Sequence, residues 1–204
     1  MDAAVTHAFE GGFAEPVLDA QATFRAVMDA MARPARIIEV APRAAPPASL
    51  SPLVGAIACT LIDADTPMWL DPRLGESEAV RAWLSFHTGA RLAAAPAEAA
   101  FALIADPGEM PPLDRFAQGT QEYPDRSATL ILQLDSLEGG APLTFHGPGI
   151  KGEATIAPVS LPADFVRQWT ENTKRFPRGV DLILSAGEAL ACLPRSARLI
   201  EVEV

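Results

Sequence analysis

A close pair of carboxylates, three histidines and a few arginines set in turns are the residues of this chain with the chemistry to handle a small charged molecule. Asp63 and Asp65 lie two apart in Asp63-Ala64-Asp65-Thr66-Pro67. Paired carboxylates share a proton or hold magnesium. The same string reads as a turn, because an Asp side chain accepts from backbone N–H groups just after it and Thr-Pro fixes the exit; the turn is the simpler account. His87 falls in Phe86-His87-Thr88-Gly89, the end of a predicted helix. There a histidine interacts favourably with the helix dipole and the glycine takes a left-handed cap, while an acid–base or anion-binding role stays open. His146 precedes Gly147-Pro148-Gly149-Ile150. Glycine-rich turns aim N–H groups at phosphate, but the proline removes one donor, and a plain hairpin turn is preferred.

Phe176-Pro177-Arg178-Gly179-Val180-Asp181 sets an arginine and a carboxylate around a tight turn before an apolar run, and Pro194-Arg195-Ser196 poses the same question. An arginine in a rigid turn grips a carboxylate or phosphate through two parallel hydrogen bonds. Equally, it pairs inside its own fold, and both readings stand. Arg178 and Arg195 from these turns, with Arg25 and His87, are the candidate contacts to an anion. No residue stands out as catalytic. The phosphate loop, the dinucleotide fingerprint, the zinc-protease helix and the serine nucleophile elbow are all missing. No metal site is expected, because the histidines and the two cysteines, Cys59 and Cys192, lack ligand spacing. Both cysteines lie in apolar runs and read as buried reduced thiols.

The elements that must position these groups follow from hydrophobic spacing. Val17, Phe24, Met28 and Met31 recur at helical intervals up to Pro34. Arg36 to Val40 reads as a strand and 41–52 as a Pro/Ala loop. Ser49 or Ser51 caps a helix through Ile62. Met68-Trp69-Leu70 is a short strand, Glu76 to Phe86 a helix and Phe101 to Ala105 a strand. Pro111 to Gln118 has room for one or two helical turns. Ala128 to Leu134, nearly continuous in apolar character, predicts a central strand covered on both faces. Strands follow at Leu143 to His146 and Glu153 to Ala157, then a helix at Pro162 to Lys174. Val180 to Ser185, Ala189 to Leu193 and Arg198 to Val204 are spaced as in hairpins. Alternation early and strands late predict an α/β fold, a mixed sheet with helices packed on it. Residues 1–15 read as an N-terminal arm and 16–204 as one domain.

Length and composition bound the function. The chain has 204 residues, 49% hydrophobic and 21% charged, enough for a substantial core. A formal charge of −10 argues against a nucleic-acid partner, which calls for a basic stripe. The most apolar stretch, Leu53 to Ile62, is about half the roughly 20 residues of a spanning helix, so no membrane is expected. Without a basic or apolar leader, the N-terminus sets an expectation of the cytoplasm.

Taken in order, several strings carry a resemblance. They are Gln21 to Met31 with Pro34, Leu61 to Leu70, Leu84 to Ala90, and Gly119-Thr120 with Ala128 to Gly140. Gly147 to Ile150, Phe176 to Leu184 and Leu193 to Arg195 complete the series. Each alone is weak; in this order, from about residue 16 to the end, the chain resembles the PhnH family of the bacterial carbon–phosphorus lyase system. The resemblance implies a fold similar to the large domain of pyridoxal-phosphate-dependent transferases without the cofactor. It implies a subunit required when MgATP and a phosphonate become ribose 1-phosphonate 5-triphosphate. It implies G, I, J and L-type subunits as partners, a homodimer in isolation, and no transferable catalytic residue. The only lysines, Lys151 and Lys174, are poorly placed for a Schiff base, so no cofactor is expected. Met68, Trp69 and Leu70 are candidate interface residues because Trp is enriched at hot spots, with a core position for Trp69 equally open. An autonomous enzyme acting on a phosphate ester or nucleotide, with His87, Asp63 and Asp65 as its groups, and a phosphonate- or nucleotide-binding regulator are the competing readings.

Overall fold

The computed structural model describes residues 10–200. In chain order they form helix α1 (Pro16–Ala32), strand β1 (Ile38–Glu39), helix α2 (Pro52–Leu61), strand β2 (Met68–Leu70), the single-turn helix α3 (Pro72–Gly75) and helix α4 (Glu78–Thr88). Strands β3 (Phe101–Ile104), β4 (Thr129–Gln133), β5 (Leu143–His146) and β6 (Ala154–Ile156) follow. Helix α5 (Phe165–Lys174) and strands β7 (Asp181–Ala186), β8 (Ala189–Leu193) and β9 (Arg198–Leu199) end the series.

Local chemistry sets the helix starts. Ser51, Asp71 and Ser77 cap α2, α3 and α4 by accepting from Val54, Leu74 and Val80 N–H at 3.2, 2.9 and 3.3 Å. Pro52 and Pro72 occupy the first helical position, where no N–H is needed. Gly89, at φ +69°, ends α4 in the left-handed conformation.

A six-stranded sheet runs in the order β1-β8-β7-β4-β3-β2. β2, β3, β4 and β7 are mutually parallel, and β8 is antiparallel to both β7 and β1. Five strands therefore point one way and β8 alone points back. Side chains alternate between the faces. Leu103, Ile131, Ile183 and Cys192 pack under α1, α2 and α4, whereas Ala102, Leu130, Leu132, Leu182 and Leu184 pack against Phe116, Phe145 and Trp169 on the other face. β4 is covered on both sides, as its apolar run predicts. A smaller antiparallel sheet, in the order β6-β5-β9, lies on the second face.

Two expectations change. Pro72 to Gly75 adds a helical turn that no periodicity signals. β9 does not continue a hairpin with β8 but pairs with β5. The described end of the expected arm, residues 10–15, lies against the domain: Gly11 C=O accepts from Ala45 N–H at 2.8 Å, and Glu10 C=O accepts from the Trp83 indole at 2.8 Å. Residues 1–9 and the acidic tail 201–204 lie outside the described residues. Among the described residues no helix is long and apolar enough to cross a membrane.

Candidate functional site

In open α/β sheets ligands usually bind beyond the carboxyl ends of the parallel strands. Here that end is occupied by the chain's own hydrogen bonds. Asp71, only 2% exposed, sits just past β2. Its carboxylate accepts from Leu74, Ala105 and Asp106 N–H at 2.9, 2.8 and 2.9 Å, tying β2 to β3. Gln133 ends β4, accepts from Ser51 N–H at 2.6 Å and donates to Ser49 C=O at 3.2 Å. Asp19, nearly buried in α1, accepts from Glu15 N–H and Arg43 Nη1, both at 2.9 Å. The Glu15 N–H, followed by Arg43, holds the Asp19 carboxyl below its ordinary range. The Pro/Ala loop 41–52 is thus fastened down from both sides.

The amino end is built differently. Asp181 starts β7, and Arg195 follows β8 beside it. Arg195 donates its backbone N–H and Nε to Asp181 Oδ1 at 2.7 and 3.1 Å and its Nη2 to Oδ2. Its Nη1 reaches Pro124 C=O at 2.8 Å and Pro177 C=O at 3.4 Å. One guanidinium therefore joins three loops. Asn172, on α5, receives Val180 N–H and donates to Val180 C=O, both at 2.9 Å, and Trp169 donates to Ala197 C=O at 2.9 Å. Gly179, at φ +117°, lies where a Cβ would meet Asn172 Oδ1 at 2.8 Å, so this lead-in requires glycine.

Beside the clamp is a hollow of 260 Å³ lined by His146, Gly147, Pro148, Phe176, Arg195, Ser196 and Arg198. Gly147-Pro148-Gly149-Ile150 forms a tight turn closed by Ile150 N–H to Gly147 C=O at 3.1 Å, with proline then left-handed glycine in the middle. Gly149 packs on the end of α1, where a Cβ would meet Ala32 C=O at 2.3 Å. The strings around Gly147, Phe176 and Arg195, distant in sequence, meet here.

The candidate anion contacts do not converge. Arg195 is committed to Asp181, with side chains 14% and 19% exposed. Arg178 is exposed, two residues beyond Phe176, and lines none of the four hollows described for this chain. Arg25 lies on the outer face of α1 beside Phe24, Met28 and Asp29. His87 lies tilted against Trp83 and edge-on to Phe86, and borders a 460 Å³ hollow with Gly11, Gly12, Phe13 and Cys59. Met68 is 0% exposed and Leu70 9%, both facing the core, so neither offers surface to a partner. Half-buried Trp69 packs edge-on to Phe116 at 5.7 Å. Asp63 and Asp65 form the turn: Asp63 Oδ1 accepts from Asp65 N–H at 3.0 Å. Burial pushes the Cys59 thiol up to about 12 and raises that of Cys192 further, which makes both poor nucleophiles. Among the described residues no three His, Cys, Asp or Glu side chains gather to hold a metal ion. Sequence reasoning missed Arg198, because its partner across the strands, His146, is set by a pairing that local spacing does not encode.

The family model described as bacterial phosphonate metabolism protein (PhnH) matches residues 11–200. A protein of Rhizobium meliloti (strain 1021), named alpha-D-ribose 1-methylphosphonate 5-triphosphate synthase subunit PhnH, is 49% identical over 191 residues, covering 94% of this chain and 95% of that one. HtxG of Stutzerimonas stutzeri, whose name describes it as a C-P lyase subunit protein, is 33% identical over 81 residues, covering 40% of this chain and 42% of its own. With a family match over nearly the whole of its length, this chain belongs to the PhnH family of bacterial phosphonate metabolism proteins.

Proposed function

We propose that this chain is a subunit of the assembly that converts MgATP and a phosphonate into ribose 1-phosphonate 5-triphosphate, working beside G, I, J and L-type subunits of the carbon–phosphorus lyase system. The end-to-end match with the Rhizobium synthase subunit carries this reading. The chain's part is co-catalytic: it supplies shape and surface while another subunit supplies the reaction centre. Its side chains agree. Of the carboxylates singled out in the sequence or at the sheet ends, Asp63 is used in its turn, Asp71 on N–H groups, and Asp19 and Asp181 on both N–H groups and arginine. A fold like that of pyridoxal-phosphate transferases, without the cofactor, is part of this proposal; on the cofactor, Lys174 reaches Glu171 at 2.8 Å and Lys151 is exposed in a turn, neither being placed for a Schiff base. In isolation the chain pairs with a second copy, and it works in the cytoplasm. Exposed Arg178 is retained as a candidate anion contact, and half-buried Trp69 as a candidate contact of the assembly.

The test is genetic and biochemical together. In a strain deleted for its own copy, the chain restores growth on methylphosphonate as sole phosphorus source and co-purifies with the other synthase subunits. Turnover of MgATP and methylphosphonate by the chain alone, freed of partners, overturns the co-catalytic reading and favours an autonomous enzyme.

A further inference from the structure

We propose that the hollow at the end of β5 and β9 binds a phosphoryl or phosphonyl dianion, gripped by Arg198, the His146 imidazole and the Ser196 hydroxyl, with the ligand's apolar part against Phe176. His146 and Arg198 are register partners on adjacent antiparallel strands. Facing side chains there stand about 5 Å apart at Cβ, close enough to grip one anion together. In a chain of charge −10, the lining of this hollow holds two arginines, one histidine and no carboxylate. Asp181 neutralises Arg195 beside it, which makes that guanidinium a rigid wall. Arg198 is exposed and makes no ion pair with a described residue. Glu153, just before β6, makes no ion pair with His146 and does not line the space. Arginine is the side chain suited to phosphate oxygens, and an unpaired one in a concave site is ready for them.

The walls are fixed. A Cβ on Gly147 would meet Ser196 C=O at 2.8 Å, so the Gly147 turn and the Ser196 turn touch. Phe176 is 57% exposed, an aromatic face that otherwise costs solvation. Three other hollows among the described residues lack this combination. The one against α5 balances Arg167 and Arg175 with Asp114 and Glu171. The one beside Arg25 contains Asp29, and the one at His87 contains no arginine or lysine. At 260 Å³ the space suits a small ligand, near the lower limit of about 300 Å³ for common small-molecule sites.

Binding is measured on the full purified chain without partners, so its failure is separate from failure of the assembly reading. Inorganic phosphate, methylphosphonate and ATP are titrated by calorimetry and by phosphorus NMR line broadening. At least one binds, and Arg198→Gln weakens it by about tenfold. Arg198→Lys retains part of the affinity, and His146→Gln weakens it less than Arg198→Gln. Arg25→Gln leaves it unchanged, and thermal melting of Arg198→Gln matches the parent. Equal affinity for phosphate and methylphosphonate identifies a site that reads the dianion alone. Preference for methylphosphonate, or for ATP with loss in Phe176→Ala, shows that the apolar wall is used. Each of these supports the site. Failure of all three to bind, or binding unchanged in both Arg198→Gln and His146→Gln, overturns it.

Discussion

The two ends of the parallel strands contrast in what their polar side chains are left free to do. At the carboxyl end, Asp71, Gln133 and Asp19 spend their oxygens on the chain's own N–H groups and on Arg43. At the amino end, Arg195 is spent in the same way, but the exposed Arg198 makes no ion pair with a described residue. The usual crevice of the fold class is stapled shut, and the open cationic hollow lies at the opposite end. Fold class alone points to the carboxyl end; the hydrogen-bond account of each side chain points to the other.

The carboxyl-end staple is expected to be the more costly to break. Asp71→Ala leaves three N–H groups without acceptors and uncaps α3. It should lower stability by about 3 kcal/mol, read as a lower urea midpoint with an unchanged slope. Asp71→Asn should fall between, since an amide offers one accepting oxygen in place of two. A loss within experimental error would mean that the staple is ornamental and that the contrast between the ends is false.

The amino-end clamp comes next. Asp181→Ala leaves a partly buried guanidinium without its carboxylate and should cost about 2 kcal/mol, below the figure for a fully buried pair because some solvent reaches both groups. The double variant Asp181→Leu with Arg195→Met should recover part of that loss, since removing both charges removes the orphan. Full additivity of the two single losses would show that the pair is not coupled.

Much of this layout was legible in the residues. The run from Ala128 to Leu134 reads as a strand covered on two faces, Ser49 or Ser51 ahead of Pro52 reads as a helix start, and the Asp63 turn is the simpler account of its own side chain. The rest was hidden for physical reasons. Asp71 caps a helical turn that the sequence reading did not include, and its bonds to Ala105 and Asp106 cross 34 and 35 residues and depend on β2 lying beside β3. Arg198 gains His146 only because the chain leaves the main sheet after β8, a choice that two hydrophobic residues at 199 and 200 do not announce. Arg195 was legible only as an arginine open to pairing inside its own fold; that its partner is Asp181 depends on the packing of β8 on β7.

Acid sharpens the contrast further. The Asp19 carboxyl titrates below its ordinary value of 3.8 in the folded chain because Glu15 N–H and Arg43 stabilise its charge. A depressed folded value means the contribution is complete above the ordinary value and is lost as pH falls through the folded one. Thermal midpoints should therefore decline as pH falls below about 4, and Asp19→Asn should flatten that decline while lowering stability at neutral pH. An identical acid profile for the variant would detach the 41–52 loop from α1.

The smallest effect is expected on the outer face of α5, where the same chemistry works without burial. Glu171 pairs with Lys174 at 2.8 Å and Asp164 with Arg167, and each of these four side chains is close to half exposed or more. Lys174, first by its hydrogen bond and then by its charge, lowers the Glu171 carboxyl, and hydrogen bonds from Gln168 and then Arg167 lower that of Asp164. Water already solvates these groups, and holding two long side chains together offsets the attraction. Glu171→Gln should leave the thermal midpoint at low salt indistinguishable from the parent. Asp181→Ala, which also removes one carboxylate from an arginine or lysine, should lower it plainly. If the two variants matched, burial would not be what separates a structural pair from a surface one, and Arg198 could not be distinguished from any other exposed arginine by the company it keeps.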